Sequence, residues 1–326
     1  MKGKTMFNRR DMLTAMAALS WTASGLAQGF PARPITLLVP FSPGGAADIT
    51  ARLVAQGMGE ELGQPVIIEN RPGASGVTAG AAALARPADG YTLLLASSSM
   101  TTAKWLYPNV SLDFTRDFRA VGMATRSPYV AAVSDKFPGA HVADLVRMAK
   151  EKPGRIDFAT AGAGTGPHLF AEILQQQTGT LMTAIPYKGS GPALTALMAG
   201  EVHVYFDVLM SSVGHLGAGK LKALGVSSRE RMPVLPNVAT FAEQGFRGLD
   251  FSAWFGLIAK TGTPEPVLRQ LNAALGKVVQ APAFVTRVNE LGASAAGGTH
   301  TTFQSTIVDE TAYWGRVIKE KNIRAD

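Results

Sequence analysis

Two glycine-rich turns in similar surroundings constrain this chain more than any other feature. One is PFSPGG at 40–45 and the other is TAGAGTG at 160–166. Each follows a short apolar run that predicts a strand, and each leads into a helical pattern. Such a turn leaves backbone N–H groups unpaired at the positive end of a helix, which forms a site for an anion. Two such turns predict one anionic ligand that is held from two sides.

The N-terminal segment has the pattern of an export signal. Arg9-Arg10 precede a largely apolar stretch, 12–26, and small residues occupy the positions before a cleavage site after Ala27. The stretch is too short and too rich in small residues for a transmembrane helix. We therefore expect residues 1–27 to be a signal peptide and the mature protein to be periplasmic. Thr14 stands where a lysine would strengthen a twin-arginine signal, so the twin-arginine and general secretion routes both stay open.

Composition excludes several kinds of site. The chain has no cysteine, which rules out a disulfide scaffold, a thiolate metal site and a cysteine nucleophile. The formal charge is +7, and about +4 remains after the +3 of the signal segment is subtracted. The basic residues are scattered and the histidines show no metal-ligand spacing. We expect no nucleic acid, metal or cofactor, and the mild positive balance fits an acidic small ligand.

Short β-type runs alternate with helical patterns along most of the chain. The predicted strands are 35–39, 66–69, 92–96, 130–133, 157–160, 183–186, 204–207, 221–226 and 255–259. The predicted helices are near 47–62, 142–150, 168–177, 193–199, 265–279, 283–291 and 303–321. This alternation predicts an α/β protein with parallel sheets. Because no low-complexity linker divides the chain, two lobes that share crossing segments fit better than two separate domains.

Four segments occur in an order and spacing typical of one family. They are PFSPGGAAD at 40–48, ENRPGASG at 69–76, AGAGTGPHL at 161–169 and PYKGSGPAL at 186–194. They resemble the signatures of the Bug-type extracytoplasmic solute receptors, the binding proteins of the tripartite tricarboxylate transporter family. The resemblance extends from about Pro34 to the C-terminus.

The resemblance implies a type II periplasmic-binding-protein fold, with two lobes of mixed sheet flanked by helices and a ligand cleft between them. We expect lobe 1 to comprise residues 28–126 and 252–326 and lobe 2 to comprise 127–251, with crossovers near 125–128 and 251–254. It also implies a monomeric receptor without catalysis. Such a receptor binds a small organic carboxylate, either an aliphatic di- or tricarboxylate, an acidic amino acid or an aromatic acid. It delivers this ligand to membrane transporter subunits or senses it.

The candidate ligand-binding residues lie at the junctions between predicted strands and helices. In lobe 1 they are Phe41, Ser42, Gly44, Gly45, Asp48, Ser97, Ser99 and Thr101, and in lobe 2 they are Ala163, Gly164, Thr165, His168, Tyr187, Lys188 and Asp207. Some of these residues also have structural interpretations. Paired glycines permit a positive φ before a helix. The Asp48 carboxylate can accept hydrogen bonds from backbone N–H groups and from Arg52 instead of contacting a ligand. The charge of Asp207 disfavours direct contact with a carboxylate.

One segment departs from the family pattern. Many members carry a Ser-Asn-Gly-Thr-His-like sequence after the third strand, whereas this chain has SSSMTT at 97–102. Hydroxyl groups are plentiful there, but the usual amide and imidazole are replaced, and Met100 adds a flexible apolar contact. The contacts to the distal end of the ligand therefore cannot be transferred from relatives.

Segments that resemble enzyme motifs each lack a residue that the motif requires. The segment 162–167 begins like a dinucleotide fingerprint, but Pro167 takes the place of its third glycine. The segment 214–221 resembles a phosphate-binding loop, but Leu221 stands where the loop needs serine or threonine. No Gly-x-Ser-x-Gly elbow is present. A secreted enzyme that acts on a small carboxylate remains the alternative to the receptor, and an adhesive envelope protein is a third reading.

Overall fold

The computed structural model describes residues 29–107 and 109–324. The predicted signal peptide and its cleavage after Ala27 lie outside the described residues. Within the described ranges, no helix is both long enough and apolar enough to cross a bilayer.

Strands and helices alternate as predicted. The strands are β1 (Ile35–Val39), β2 (Val66–Asn70), β3 (Thr92–Ser97), β4 (Phe118–Ser134), β5 (Asp157–Thr160), β6 (Thr183–Pro186), β7 (Val204–Val208), β8 (Leu221–Val226), β9 (Ser252–Lys260) and β10 (Ser294–Ala295). The helices are α1 (Ala46–Leu62), α2 (Val77–Leu84), α3 (Met100–Leu106), α4 (Val142–Glu151), α5 (Gly166–Thr178), α6 (Ser190–Ala199), α7 (Leu209–Gly217), α8 (Glu265–Gln280), α9 (Pro282–Glu290) and α10 (His300–Glu320). A 3₁₀ turn at Ala74–Gly76 precedes α2.

The fold is a two-lobed, mixed α/β arrangement of the periplasmic-binding-protein type. In one half, the strand order is β2-β1-β3-β9-β4, and in the other β4 continues to β7, β5 and β6. We call the part built on β1–β3, β9 and β10 with α1–α3 and α8–α10 lobe 1, and the part built on β5–β8 with α4–α7 lobe 2. The pairing is mixed, as the family resemblance implied: β1 pairs in parallel with β2 and β3, whereas β3 with β9, β9 with β4, and β4 with β7 are antiparallel pairs.

The long strand β4 connects the two lobes. Its first part pairs with β9 as far as Pro128, opposite Ser252, and its second part pairs with β7 from Tyr129, opposite Val208. The partner of β4 therefore changes at the predicted first crossover. The sequence had suggested only 130–133 as strand, whereas the ladder begins twelve residues earlier, at Phe118.

Aromatic packing in lobe 2 fixes the helix that enters the cleft. Phe170 on α5 is fully buried, and its ring centroid lies 5.2 Å from that of Phe206, 4.8 Å from that of Phe241 and 5.3 Å from that of Phe251. Offset and edge-on aromatic pairs at such distances add to the free energy of apolar burial. Because Phe170 lies in the first two turns of α5, this cluster sets the position of the helix N-terminus.

Candidate functional site

A small cavity of about 30 Å³ lies between the two lobes. Lobe 1 contributes the turn before α1 and the end of β3, and lobe 2 contributes the turn before α5 and the start of α6. The strands that join the lobes supply the remaining wall. The lining residues are Phe41, Gly45, Ala46, Ala47, Ser97, Ser98, Ser99, Tyr129, Ala161, Thr165, Pro167, Ser190, Val208, Ala253 and Phe255. The two glycine-rich turns thus face one cavity, from opposite lobes.

Three helices begin at this cavity without a side-chain cap. The N-cap residues are Gly45 for α1, Thr165 for α5 and Gly189 for α6, and in the described part of the chain none of them accepts a hydrogen bond from its helix through a side chain. The Thr165 hydroxyl instead donates to the Gly162 carbonyl at 2.6 Å. The first N–H groups of each helix have no intrahelical acceptor. Three positive helix ends therefore converge where an anion would be stabilised.

The cavity wall itself carries no formal charge. None of the described residues that line it is an Asp, Glu, Lys, Arg or His. Apolar surface comes from Phe41, Tyr129, Val208, Ala253 and Phe255, all of them buried. A carboxylate here would be recognised by hydrogen bonds and helix dipoles, which act more strongly where water is excluded. The apolar wall suits the carbon skeleton of a small acid.

The Ser97 hydroxyl is an unsatisfied group in this wall. Ser97 is 2% exposed, and its Oγ has no hydrogen-bond partner among the described residues. An unpaired buried polar group costs about 1–3 kcal/mol, so native structures rarely keep one without a purpose. A ligand oxygen in the cavity would satisfy it.

Asp48 holds the turn in lobe 1. Its carboxylate accepts the Gly44 N–H at 3.1 Å, two hydrogen bonds from Arg52 at 2.9 and 3.1 Å, and the Asn70 amide at 3.1 Å. Burial alone would raise the pKa of the Asp48 carboxyl, but these donors outweigh burial and lower its pKa below the ordinary value. The negative charge is thereby neutralised locally, which allows an anion to bind at the same helix end.

His168 holds the corresponding turn in lobe 2. Its Nδ1 accepts the Gly164 N–H at 3.1 Å, and burial lowers the pKa of the imidazole. The other ring nitrogen lies 3.8 Å from the Glu172 carboxyl, whose own pKa is raised by burial. Both shifts favour the neutral forms, so this contact is not an ion pair at neutral pH. His168 shapes the turn as a neutral acceptor.

Four hydrogen bonds close the cleft by joining lobe 1 donors to backbone carbonyls of lobe 2. They run from the Ser42 N–H to Lys188 O (3.0 Å), from Ser75 Oγ to Ala163 O (2.5 Å), from Tyr107 Oη to Ala163 O (3.2 Å) and from Thr102 Oγ1 to Gly164 O (2.8 Å). We call these four contacts the latch. They can form only when the lobes are together, so the structure represents a closed cleft.

The predicted site residues fall into four groups. Phe41, Gly45, Ser97, Ser99 and Thr165 line the cavity. Ser42, Ala163, Gly164 and Lys188 take part in the latch through their backbones, and Gly44, Asp48 and His168 shape the turns. The remaining three lie outside the lining: the Thr101 hydroxyl donates to Ser98 O, Tyr187 packs on the lobe 2 core, and Asp207 is 0% exposed behind Ser190.

Sequence reasoning missed several lining residues. Tyr129, Val208, Ala253 and Phe255 belong to the strands that pass between the lobes or end beside the cleft, and nothing in their apolar patterns distinguishes them from core. Ser190 was detectable, because the segment 186–194 that contains it resembles a family signature and starts a helix.

Comparison with known proteins identifies the family of this chain. The model of the tripartite tricarboxylate transporter family receptor, TctC, matches residues 50–323. Protein BugT of Bordetella pertussis is 36% identical over 296 residues, which cover 90% of this chain and 91% of BugT.

Solved structures of two similar proteins have the same fold. The structure of R. palustris Rpa4515 with adipate superposes with a TM-score of 0.87 at 34% identity, covering 90% of this chain and 99% of the other. MatC from Rhodopseudomonas palustris, with bound malate, gives a TM-score of 0.85 at 32% identity, covering 89% of this chain and 100% of MatC. Because the family model and the relatives match most of its length, the chain belongs to the tripartite tricarboxylate transporter receptor family.

Proposed function

We propose that this protein is an extracytoplasmic receptor that binds one small organic carboxylate in the cleft and delivers it to membrane subunits of a tripartite tricarboxylate transporter or senses it. The observation that carries this proposal is the uncharged cavity onto which three uncapped helix N-termini converge. Adipate and malate, bound by the similar R. palustris proteins, belong to the same chemical class.

The energetics agree with a ligand shared by both lobes. A micromolar dissociation constant corresponds to about −8 kcal/mol. Hydrogen bonds to a charged group contribute about 1.5–3 kcal/mol each, and part of that gain is lost to the entropy of association. Four or five donors are needed, and α1 alone does not offer them. The N–H groups of α5 and α6 would complete the set only in the closed form, so binding and closure would be coupled.

We assign the boundary between the lobes to the crossing strands. Lobe 1 would comprise residues 28–126 and 252–326, and lobe 2 would comprise 127–251. The change of partner along β4, from β9 at Pro128 to β7 at Tyr129, supports this division. A hinge at these strands would let the turns at Gly45 and Thr165 separate while each lobe keeps its own sheet.

The ligand contacts would come mainly from backbone groups. We assign them to the N–H groups that open α1, α5 and α6, to Ser97 and Ser99, and to the apolar faces of Phe41 and Phe255. Other predicted residues would support these contacts without touching the ligand: Asp48 and His168 would shape the turns, and Ser42 and Lys188 would close the cleft. In this role the protein would work as an exported monomer in the periplasm, without a cofactor, and would not change its ligand.

A thermal-shift screen of a carboxylate library tests the proposal. A ligand that binds only the folded state raises the melting temperature by linkage. We expect at least one di- or tricarboxylate, acidic amino acid or aromatic acid to raise it, and calorimetry with mass spectrometry should recover that ligand unchanged. Turnover of the ligand would favour the secreted enzyme, and the absence of any binder would favour an adhesive envelope protein.

A further inference from the structure

A fully buried carboxylate lies directly behind one wall of the cavity. Asp207, at the end of β7, is 0% exposed, and its Oδ1 lies 2.8 Å from the hydroxyl of Ser190. Its Oδ2 lies 2.7 Å from the Ser211 hydroxyl and 2.6 Å from the Ser212 hydroxyl. Burial raises the pKa of the Asp207 carboxyl, and the three hydroxyls oppose that rise. Of the four side chains in this network, only Ser190 lines the cavity.

The hydrogens of this network determine what Ser190 can offer a ligand. Three hydroxyls converge on the two oxygens of Asp207, which is the arrangement of an ionised acceptor, and in that form Asp207 takes the single hydroxyl hydrogen of Ser190. The Tyr205 hydroxyl, which is also fully buried, lies 2.9 Å from the same Ser190 oxygen and must then be the donor in that contact. Ser190 Oγ keeps one lone pair and has no hydrogen left. Toward the cavity its hydroxyl is therefore an acceptor.

An acceptor in front of a buried negative charge is unfavourable for a carboxylate and favourable for a donor. The carboxylate of a ligand would be held by the N–H groups that open α1, α5 and α6, because Arg52 neutralises the Asp48 charge beside α1 and His168 beside α5 is neutral. A hydroxyl or ammonium group of the same ligand would donate to Ser190. The unsatisfied Ser97 hydroxyl, on the lobe 1 side of the same cavity, can complete the contacts of such a polar group.

We infer that this cleft selects carboxylates that carry a hydroxyl or ammonium substituent over their unsubstituted counterparts, and that Ser190, oriented by Asp207, is the residue that selects them. The inference rests on the proposed carboxylate receptor and defines its ligand class. Asp207 is a positioning residue in this scheme, because it touches Ser190 and not the cavity. The buried acceptor penalises a ligand that leaves it unpaired.

Calorimetric titration with matched ligands tests the selection. The probes are succinate with malate and aspartate, glutarate with 2-hydroxyglutarate and glutamate, adipate with 2-hydroxyadipate, and benzoate with 4-hydroxybenzoate, with both enantiomers where they exist. The tightest binder should carry a hydroxyl or ammonium group and should bind at least tenfold more tightly than its unsubstituted partner. A preference below tenfold, or an unsubstituted tightest binder, would overturn the inference while leaving the carboxylate receptor intact. No binding by any probe would overturn both.

Variants assign the preference to Ser190. Ser190→Ala should reduce the ratio between substituted and unsubstituted partners to less than threefold. Asp207→Asn should reduce the same ratio, because an amide N–H can donate to Ser190 Oγ and release its hydrogen. Thr195→Ala is the matched control: it removes an exposed hydroxyl from the same helix as Ser190 without touching Asp207 or the cavity, and it should keep the wild-type ratio. A wild-type ratio in folded Ser190→Ala, checked by circular dichroism, would overturn the assignment.

Discussion

The carbonyl oxygen of Pro43 and residue Gly191 face each other across the cleft so closely that a Cβ on residue 191 would stand 2.5 Å from that oxygen. Pro43 belongs to the turn before α1 in lobe 1, and Gly191 belongs to the first turn of α6 in lobe 2. A real Cβ does not come this near to a backbone oxygen, so the lobes meet here only because residue 191 lacks a side chain. The residue type at position 191 therefore determines whether the cleft can close.

Replacing Gly191 with alanine should therefore hinder closure without disturbing lobe 2. We expect Gly191→Ala to weaken binding of a carboxylate at least tenfold in calorimetry, with an unchanged circular dichroism spectrum. Gly214→Ala on α7 is the matched control, because no atom lies within 4 Å of the Cβ it would add. Equal affinities for the two variants would show that the Pro43–Gly191 contact does not limit closure.

Removing the unsatisfied hydroxyl of Ser97 should have opposite effects on the stability of the protein and on its affinity for the ligand. Removing a buried group that lacks a partner relieves about 1–3 kcal/mol of desolvation, so Ser97→Ala should melt at the wild-type temperature or above it. The same change should weaken ligand binding about 2- to 12-fold, because a neutral hydrogen bond contributes about 0.5–1.5 kcal/mol.

Ser228→Ala is the control for Ser97→Ala. Its hydroxyl is the other buried side-chain group without a partner among the described residues, and it does not line the cavity. This variant should keep the wild-type affinity. Loss of stability in Ser97→Ala, with binding unchanged, would mean that Ser97 serves only the fold.

The Asp48 carboxylate should make stability depend on pH. Its pKa in the folded protein lies below the ordinary value of 3.8, so its stabilising contribution is present above that value and is lost as the pH falls through the folded-state pKa. Asp48→Asn should lower the free energy of unfolding by about 1–3 kcal/mol at pH 7, since Arg52 is partly exposed and the pair is partly screened.

Urea unfolding at pH 7, 5 and 3 checks this sign. The difference between wild type and Asp48→Asn should be equal at pH 7 and 5 and smaller at pH 3. Asp309→Asn, which changes an exposed carboxylate on α10, should show no such pattern. A difference that grows as the pH falls would contradict the assigned role of Asp48.

The latch contact of Tyr107 should stabilise the closed state by the amount of one hydrogen bond. Its hydroxyl donates to the Ala163 carbonyl at 3.2 Å, and a neutral hydrogen bond contributes about 0.5–1.5 kcal/mol. Tyr107→Phe should therefore increase the dissociation rate of a bound carboxylate about 2- to 12-fold in stopped-flow measurements. Tyr91→Phe, whose hydroxyl accepts from Ala32 within lobe 1, should dissociate at the wild-type rate. Equal dissociation rates for wild type, Tyr107→Phe and Tyr91→Phe would show that the Tyr107 contact does not stabilise the closed state.

The sequence predicted what local chemistry determines. The strand–turn–helix pattern at Gly44 and Gly164 placed both turns correctly, because a positive φ and an uncapped helix start depend on the residue types at and next to the turn. The four family-like segments placed the chain in the correct family and fold. Asp48 pairs with Arg52 four residues along the same helix, which is the structural interpretation that the sequence offered beside a ligand contact.

The sequence did not predict what depends on residues far apart in the chain. Helices α2, α3 and α7 were not predicted, and tertiary contacts with α10 and the latch hold α3 as helix. The extent of β4 was missed because its partner, β9, lies more than 100 residues away. The roles of Tyr129 and of Asp207 behind Ser190 depend in the same way on which strands become neighbours.

In the proposed receptor, the converging N–H groups of α1, α5 and α6 bind the full negative charge of the ligand carboxylate. The most direct test compares the tightest-binding carboxylate with its neutral amide in calorimetric titrations of the mature protein. Charge-assisted hydrogen bonds are about twice as strong as neutral ones, so several of them should weaken the amide by at least 100-fold. We expect the carboxylate to bind with a micromolar or lower dissociation constant and the amide to bind at least 100-fold more weakly. An amide that binds as tightly as the acid would contradict it.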